Sequence, residues 1–407
     1  MRTIRPVDIL LPKDADYSKW SVVACDQFTS QPRYWLELAD FIGDAPSTLK
    51  LIFPEVYLED GNAQERIENI NAEMQKYLDE GIFKELKNSF VLVRRQTASG
   101  VSRLGLVAAV DLEDYCFTHP SHAAIRSTEG VVLDRIPPRL KIRKDAPVEL
   151  PHIMLLIDDR KKSVIEKLYA ARDAYEVLYD FDLNMNGGHL TGYRVDADKV
   201  VALFDEYEKS VQDLYGAQTN EFIFAVGDGN HSLATAQAHW NELKKTLSEQ
   251  EREDHPARFA LCEIENLHDD GIVFEPIHRF VFNADDADFV TFMSGKIDGE
   301  GSVEMFTPSL TYTLHVTDNS AKAIADIQAG IDEYVKAHPE CSVDYIHGIE
   351  HLQNIAQEHK GVAIIMPKIQ KSQLFAYVLE NGTLCRKSFS MGEAEEKRYY
   401  VEAKRIK

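Results

Sequence analysis

Residues 222–232 read Phe222-Ile223-Phe224-Ala225-Val226-Gly227-Asp228-Gly229-Asn230-His231-Ser232, and this stretch decides how the fold is interpreted. Its first five residues are all apolar, which is typical of an interior strand that is buried on both faces. The two glycines permit positive φ angles and the close approach of another backbone. Ser232 or Asn230 then suits the N-cap of a helix that continues from Leu233. The stretch predicts a strand, a tight loop and a helix.

A loop of this kind, at the start of a helix, favours phosphate binding. The N-terminus of a helix carries partial positive charge and several N–H groups without intrahelical partners, so it attracts phosphate or carboxylate. His231 adds a side chain that can donate to a phosphate oxygen or move a proton, and Asp228 is a candidate magnesium ligand or general base. Asp-Gly-Asn is also ordinary turn chemistry, and a histidine at a helix start often serves only as a cap. Spacing alone leaves both interpretations open.

The rest of the chain predicts a mixed α/β protein of two domains. Its 407 residues exceed what one hydrophobic core usually organises, and 44% hydrophobic residues can fill a large core. We place the boundary near Tyr215, with an N-terminal α/β domain over 1–215 and a C-terminal domain over 216–407. Apolar periodicity predicts helices over 64–81, 161–178, 196–215 and 321–337, and strands over 90–93, 104–110, 152–157, 259–264, 277–282 and 362–366.

Charge and cysteine content exclude several classes of function. The formal net charge of −22 would repel the phosphate backbone of DNA or RNA, although a local basic pocket can still hold one small phosphate. The five cysteines contain no CxxC pair, so neither a disulfide framework nor a zinc ribbon is expected. No stretch approaches the ~20 apolar residues of a membrane span. We therefore expect a cytoplasmic protein that binds a small molecule, but neither nucleic acid nor membrane, and leave homodimerisation open.

If a bound phosphate is also transferred, the reaction needs cations, a base and a substrate site. Glu129 follows Arg126 closely and precedes a glycine, which makes it the first choice for general base, although a plain ion pair with Arg126 explains the same spacing. Asp26, Thr29 and Ser30 suit the ammonium or carboxylate group of an amino acid, and the alternative is an N-cap. The candidate cations, each of which could instead form a surface ion pair, are Arg126, Arg135, Arg139, His278, Arg279, Arg386 and Lys387.

A transition-metal site built from His231, His278, His347 and Asp228 is the weaker alternative. No pair among these residues has the short helical spacing of a zinc motif. We therefore expect no tightly bound transition metal.

The loop resembles the D-G-H-H-R signature of a large bacterial family of formerly unknown function, akin to the ParB and sulfiredoxin superfamily and to free serine kinases. Here it reads D-G-N-H-S: His231 matches the second histidine, while Asn230 and Ser232 replace the other histidine and the arginine. The resemblance covers nearly the whole chain, through blocks at residues 24–30, 126–130, 134–139, 151–154, 275–279, 344–348, 386–392 and 397–400.

The resemblance implies a ParB/sulfiredoxin-like unit in the C-terminal half, in which Gly227, Gly229, Asn230 and Ser232 cradle nucleotide or product phosphates. It further implies transfer of phosphate between ADP or ATP, with Mg²⁺, and the hydroxyl of L-serine. A phosphoserine phosphatase is chemically adjacent, because water can replace the nucleotide. The alternative from another class is a non-catalytic, nucleotide-binding regulatory module of the ParB-like type.

Overall fold

The computed structural model describes residues 3–150, 152–215 and 222–407, which form a mixed α/β fold with two large sheets. The first sheet is mixed in strand direction. Its strands, in spatial order, are Tyr115–Cys116, Ile125–Ser127, Phe224–Asp228, Met154–Ile157, Phe259–Asn266, Ser102–Asp111, Phe83–Gln96, Gly188–Val195 and Glu176–Leu183. Two further strands extend it: Ile4–Arg5 pairs with Ser102–Asp111, and Val7–Pro12 pairs with Phe83–Gln96.

The second sheet comes from the C-terminal part of the chain. Its strands, in spatial order, are Thr311–Val316, Gly301–Phe306, Gly361–Ile364, Phe274–Phe282 and Ser342–His347, and Phe389–Met391 pairs with the start of Phe274–Phe282. Lys404–Arg405 and Val148–Glu149 form a separate two-stranded ladder.

The helices pack on both sheets. No helix within the described residues is long and apolar enough to cross a lipid bilayer. The α-helices are Tyr17–Trp20, Pro32–Ile42, Ala63–Asp79, Ile136–Lys144, Ile165–Ala170, Ala197–Tyr215, Asn230–Leu243, Glu249–Asp254, Asp286–Lys296, Ser320–Ala337, Ile349–Glu358 and Lys371–Asn381.

Phe224–Asp228, called the site strand below, joins the two halves of the core. The side chains of Phe224 and Val226 lie in the hydrophobic cluster that packs on one face of the first sheet. Ala225 lies in a second cluster, which also contains residues of the second sheet. Successive side chains of a strand point to opposite faces, so the interior strand is apolar throughout. The apolar run over residues 222–226 is thus explained by burial between two layers.

The neighbours of the site strand determine what lies at its end. Ile125–Ser127 runs parallel to it, and Met154–Ile157 runs antiparallel to it. The carboxyl ends of the two parallel strands and the amino end of the antiparallel strand therefore meet at one sheet edge. Ligands commonly bind at the carboxyl ends of parallel strands, where the direction of neighbouring connections changes.

One predicted element is wrong. The predicted helix over 161–178 ends at Ala170, and Glu176–Leu183 is a strand that forms a hairpin with Gly188–Val195. Residues Asn184–Gly187 form the turn between the two strands, and a 2.9 Å hydrogen bond from Gly187 N to Asn184 O closes it. A short turn of this kind favours an antiparallel hairpin over a continuous helix. The apolar spacing over 164–178 matched a helix by coincidence.

The division of the chain near Tyr215 remains a prediction, because residues 216–221 lie outside the described part. The first sheet itself continues past Tyr215, since Phe224–Asp228 and Phe259–Asn266 both belong to it. The second sheet begins with Phe274–Phe282.

Candidate active site

The loop after the site strand turns through a single glycine. The strand ends at Asp228, Gly229 adopts φ = +82°, and a helix begins at Asn230. Gly229 is the N-cap, which corrects the prediction that Ser232 or Asn230 caps this helix. Both polar side chains have other partners, because Asn230 Oδ1 accepts from the Ser127 hydroxyl and Ser232 Oγ contacts a histidine.

The helix Asn230–Leu243, called the site helix below, starts without a side-chain cap. Its first intrahelical bond is donated by Leu233 N to Gly229 O at 3.0 Å, and a glycine cap has no side chain that could accept from the preceding amides. The N–H groups of Asn230, His231 and Ser232 therefore have no intrahelical acceptor. Together with the helix dipole they form an anion-binding terminus.

Gly229→Ala is expected to lower the free energy of unfolding by about 1–2 kcal/mol, because a side chain at this left-handed φ is strained. The added Cβ would also lie 3.0 Å from Ile153 Cα, which is backbone and cannot move aside cheaply. Urea unfolding measures the change. Gly61→Ala is the matched control, since nothing lies within 4 Å of its added Cβ and its φ is ordinary. Equal stability of the two variants would contradict the strained turn.

Asp228 and Lys397 form an ion pair at the mouth of this turn. Lys397 Nζ lies 2.9 Å from Asp228 Oδ2, while the N–H of Gly229 donates to Asp228 Oδ1 at 2.8 Å. Burial alone would lower the pKa of Lys397, but the charges of Asp228, Asp26 and Glu129 outweigh burial and raise it. Lys397 is therefore a permanent cation beside the helix N-terminus.

His231 lies in the first turn of the site helix. Its Nε2 accepts a 3.1 Å hydrogen bond from Val132 N, so in the neutral ring the proton is on Nδ1. Burial lowers the pKa of His231, and the nearby Arg139 and Arg135 lower it further. The ring is thus neutral at pH 7 and can offer Nδ1–H to a ligand oxygen.

Glu129 lies at the same sheet edge, just after the strand Ile125–Ser127. Burial raises the pKa of Glu129, and the negative charge of Asp228 raises it further. The positive charge of Lys387 lowers this pKa but does not outweigh the two other effects. The backbone N–H of Lys387 also donates to the carboxylate and holds it in place. A carboxylate with a raised pKa is a better proton acceptor, which is what a general base requires.

These groups line one large cleft of about 1260 Å³ between the loop and the second sheet. Such a volume holds a nucleotide or a comparable metabolite. Its wall carries both signs of charge. The anionic residues include Asp26, Glu55, Glu129 and Asp228, and the cationic residues include Arg135, Arg139, Arg386, Lys387 and Lys397.

A serine and a histidine meet in the cleft wall beside Asp26. Ser232 Oγ lies 3.0 Å from His152 Nε2. Burial lowers the pKa of His152, although the negative charges of Asp26 and Asp228 raise it in part. Burial would raise the pKa of Asp26, but His152, Gln27 and Lys397 outweigh it and lower that pKa, so Asp26 is ionised at pH 7.

Most of the residues predicted from the sequence lie on the cleft wall. The structure brings together Asp26, Thr29, Glu129, Gly227, Asp228, Gly229, Asn230, His231, Ser232, Arg386 and Lys387. Asn230 is buried, so it offers the cleft mainly its backbone. Ser30 is exposed and is not part of this wall.

Three residues predicted to bind phosphate do not lie on the cleft wall, which corrects that part of the prediction. Arg126 donates to the carbonyl oxygen of Ala123 and lies over the ring of Phe222. His278 Nδ1 accepts from a backbone N–H in the interior. Arg279 is fully buried and donates to Lys387 O at 3.0 Å, so it supports the turn that carries Lys387. The sequence blocks were informative, but all three of these side chains are buried.

His152 and Lys397 were not among the predicted site residues. Both lie in blocks that carried the family resemblance, and this was the only signal that could have selected them. Lys397 reaches the site because the C-terminal segment pairs with residues 22–24, as shown by the 2.7 Å bond from Ala24 N to Lys397 O. Pro151, which precedes His152, lies outside the described residues.

Asp228 does not fit the predicted role of magnesium ligand as it is arranged. Its Oδ2 pairs with Lys397 and its Oδ1 accepts from Gly229 N–H. No group of three or more His, Cys, Asp or Glu side chains among the described residues is placed to hold a metal ion. Asp228 instead positions Lys397 and closes the turn.

Comparisons with known proteins give a family and distant likenesses of fold. A family model described as "Protein of unknown function (DUF1015)" matches residues 4–383. No curated protein matches the chain. Similar solved structures include a conserved hypothetical protein from Pyrococcus furiosus, with 9% identity, a TM-score of 0.35, and coverage of 70% of this chain and 90% of that one. A free serine kinase in complex with AMP has 9% identity, a TM-score of 0.39, and coverage of 74% of this chain and 92% of that one.

SbnI with a C-terminal truncation, from Staphylococcus aureus, has 9% identity, a TM-score of 0.37, and coverage of 70% of this chain and 83% of that one. Identities and TM-scores this low do not carry an activity from those proteins to this chain.

Proposed function

This chain belongs to the DUF1015 family, and we propose that its cleft binds a small phosphorylated metabolite and transfers the phosphoryl group. The observation that carries the proposal is the uncapped N-terminus of the site helix, which opens into the cleft beside the cation of Lys397. Free amides, a helix dipole and a fixed cation together are what a phosphate dianion needs. The charge of Asp228 is already neutralised by Lys397, so it does not repel the ligand strongly.

The proposed substrate is serine or phosphoserine, with ADP or ATP as the partner nucleotide. An amino acid brings an ammonium group, a carboxylate and a hydroxyl, and the cleft carries charges of both signs. Asp26 is ionised and suits the ammonium group. Arg386 and Lys387 lie on the wall formed by the second sheet and suit the nucleotide phosphates.

The chemistry requires one base and several cations. As the phosphorus moves to the substrate oxygen, the substrate O–H bond breaks and its proton passes to the Glu129 carboxylate. The electron pair of the broken P–O bond stays with the leaving oxygen of the nucleotide. Lys397 and the amides of Asn230, His231 and Ser232 stabilise the charge on the transferring group.

The test is a set of incubations of the pure chain. L-serine with ATP should yield phosphoserine and ADP, and phosphoserine with ADP should yield ATP. Free phosphate from phosphoserine without nucleotide would assign a phosphatase that uses the same cradle. If ADP and ATP raise the melting temperature but serine and phosphoserine are not turned over, the chain is a nucleotide-binding module and the transfer proposal is wrong.

His231→Ala is expected to weaken binding of the phosphorylated ligand and to lower kcat/KM by about tenfold, because one donor to the phosphate is lost. His351→Ala is the matched control, since His351 also lies in the first turn of a helix but is exposed and outside the cleft. Titration calorimetry and initial rates measure the two effects. Unchanged affinity and unchanged turnover in His231→Ala would remove His231 from the site.

A further inference from the structure

Ser232 and His152 form a pair that a phosphate cradle alone does not require. Ser232 is the third residue of the site helix, and its Oγ lies 3.0 Å from His152 Nε2. Both side chains line the cleft. The hydroxyl thus lies in the same turn as the amides proposed to bind phosphate. A hydroxyl hydrogen-bonded to an imidazole is the arrangement of an activated nucleophile.

The surroundings of His152 favour the tautomer that such a nucleophile needs. Nδ1 of His152 is buried and has no hydrogen-bond partner among the described residues. His152 lines a chamber of about 20 Å³, and Asp26 and Glu263 line the same chamber. A chamber of this size admits one water molecule.

Glu263 is a buried residue of the same chamber wall. It is only 6% exposed, and its Oε1 is buried without a hydrogen-bond partner among the described residues. A water molecule in this chamber that accepts from His152 Nδ1–H would hold the proton on Nδ1. Nε2 is then the acceptor for the Ser232 hydroxyl, as in other serine-histidine pairs. Because burial lowers the pKa of His152, the ring is neutral at pH 7 and able to take a proton.

We propose that Ser232 is a nucleophile that receives the phosphoryl group from the donor before the acceptor does, with His152 as its base. This inference rests on the proposed function and adds a covalent intermediate to it. In the first half, the bond between Ser232 Oγ and phosphorus forms while the bond from phosphorus to the donor oxygen breaks. The Ser232 proton passes to His152 Nε2, and the electron pair leaves with the donor oxygen.

In the second half, the acceptor hydroxyl attacks the same phosphorus and gives its proton to Glu129. Ser232 Oγ leaves and takes back the proton held on His152. The protein is thereby restored, apart from the proton on Glu129, which returns to solvent. Water as acceptor would release phosphate by the same path, so kinase and phosphatase activities share the intermediate.

The test has two readouts. In the absence of any acceptor, isotope from labelled ADP should appear in ATP, because only a phosphorylated protein allows this exchange. Acid quenching after incubation with [γ-³²P]ATP or with labelled acetyl phosphate should leave the label on the peptide that contains Ser232. Ser232→Ala should abolish both signals, and His152→Gln should slow them by about 10²- to 10⁴-fold. Ser210→Ala, which alters a helix hydroxyl outside the cleft, should match the unmodified chain.

The outcomes separate this inference from the proposed function. If phosphoserine is made but exchange is absent, or if Ser232→Ala keeps its turnover within about threefold, transfer is direct and the nucleophile is wrong while the function stands. If serine and phosphoserine are not turned over but acetyl phosphate labels Ser232 in a His152-dependent manner, the nucleophile stands and the substrate is wrong. No label and no turnover would overturn both.

Discussion

Lys397→Met is expected to lower kcat/KM for phosphoryl transfer by about 10²- to 10³-fold, the loss seen when one fixed stabiliser of transition-state charge is removed. The variant removes the cation 2.9 Å from Asp228 and leaves that carboxylate uncompensated where the phosphate binds. The loss should therefore exceed that of a single phosphate contact. Steady-state rates with serine and ATP, or with phosphoserine, measure it.

Two further variants identify the cause of that loss. Lys368→Met is the control, since Lys368 pairs loosely with Glu275 at 3.8 Å and lies outside the cleft. Its rate should match that of the unmodified chain. Adding Asp228→Asn to Lys397→Met removes the uncompensated charge, so the double variant should bind phosphate ligands better than Lys397→Met alone. A Lys397→Met rate equal to that of the control would show that Lys397 does not act on the ligand.

Glu129→Gln is expected to lower kcat by about 10²- to 10⁴-fold with a smaller change in KM, because glutamine keeps the shape of the side chain but cannot accept the proton. In the unmodified chain, kcat should fall as the pH drops through the pKa of Glu129, which burial places above the ordinary glutamate range. The variant should lose that acid limb. Glu113→Gln, which alters a carboxylate outside the cleft that is bonded to Trp240 and Lys244, should keep it.

Stability distinguishes a catalytic Glu129 from a structural one. Because the pKa of Glu129 is raised by folding, its contribution to stability is present below its unfolded pKa and is lost as the pH rises through its folded pKa. At pH 7 the ionised side chain contributes no stabilisation of this kind, so Glu129→Gln should not lower the unfolding free energy there. A large loss of stability together with unchanged kcat would identify Glu129 as structural.

The local features of the fold could be predicted because they depend on neighbours in sequence. The apolar run that ends at Val226, the glycine pair and the following helix all follow from residues that adjoin one another. The strands over 90–93 and 104–110 were predicted for the same reason, and they lie in Phe83–Gln96 and Ser102–Asp111, which pair with each other. The helix predicted over 161–178 failed because its apolar spacing suits either structure, and only pairing with Gly188–Val195 decides between them.

The site was harder to predict because its members come from distant segments. His152, Asp228 and Lys397 meet only when an antiparallel neighbour strand and the C-terminal segment reach one sheet edge. Arg279 shows the opposite problem, since it lies in a block that resembles the family but points into the interior. Residue type and spacing do not report on which face of a strand a side chain lies when both faces are buried.

In the structure, the backbone of the loop is more available to a ligand than most of its side chains. The side chain of Asn230 accepts a hydrogen bond from the Ser127 hydroxyl, and the N-cap Gly229 leaves the first turn of the site helix without a side-chain cap. Ser232, which replaces an arginine of the family signature, gains a histidine partner instead. The departures from the signature thus coincide with a site that would rely on amides, Lys397 and a serine hydroxyl.

We propose that the backbone amides at the start of the site helix bind phosphate. The most direct measurement is an amide ¹H–¹⁵N spectrum of the labelled chain during titration with phosphoserine or ADP. We expect saturable downfield shifts of the Asn230, His231 and Ser232 amide protons, with those in the first turn of Ser320–Ala337 unchanged. Saturable binding that leaves the amides of Asn230, His231 and Ser232 unshifted would contradict it.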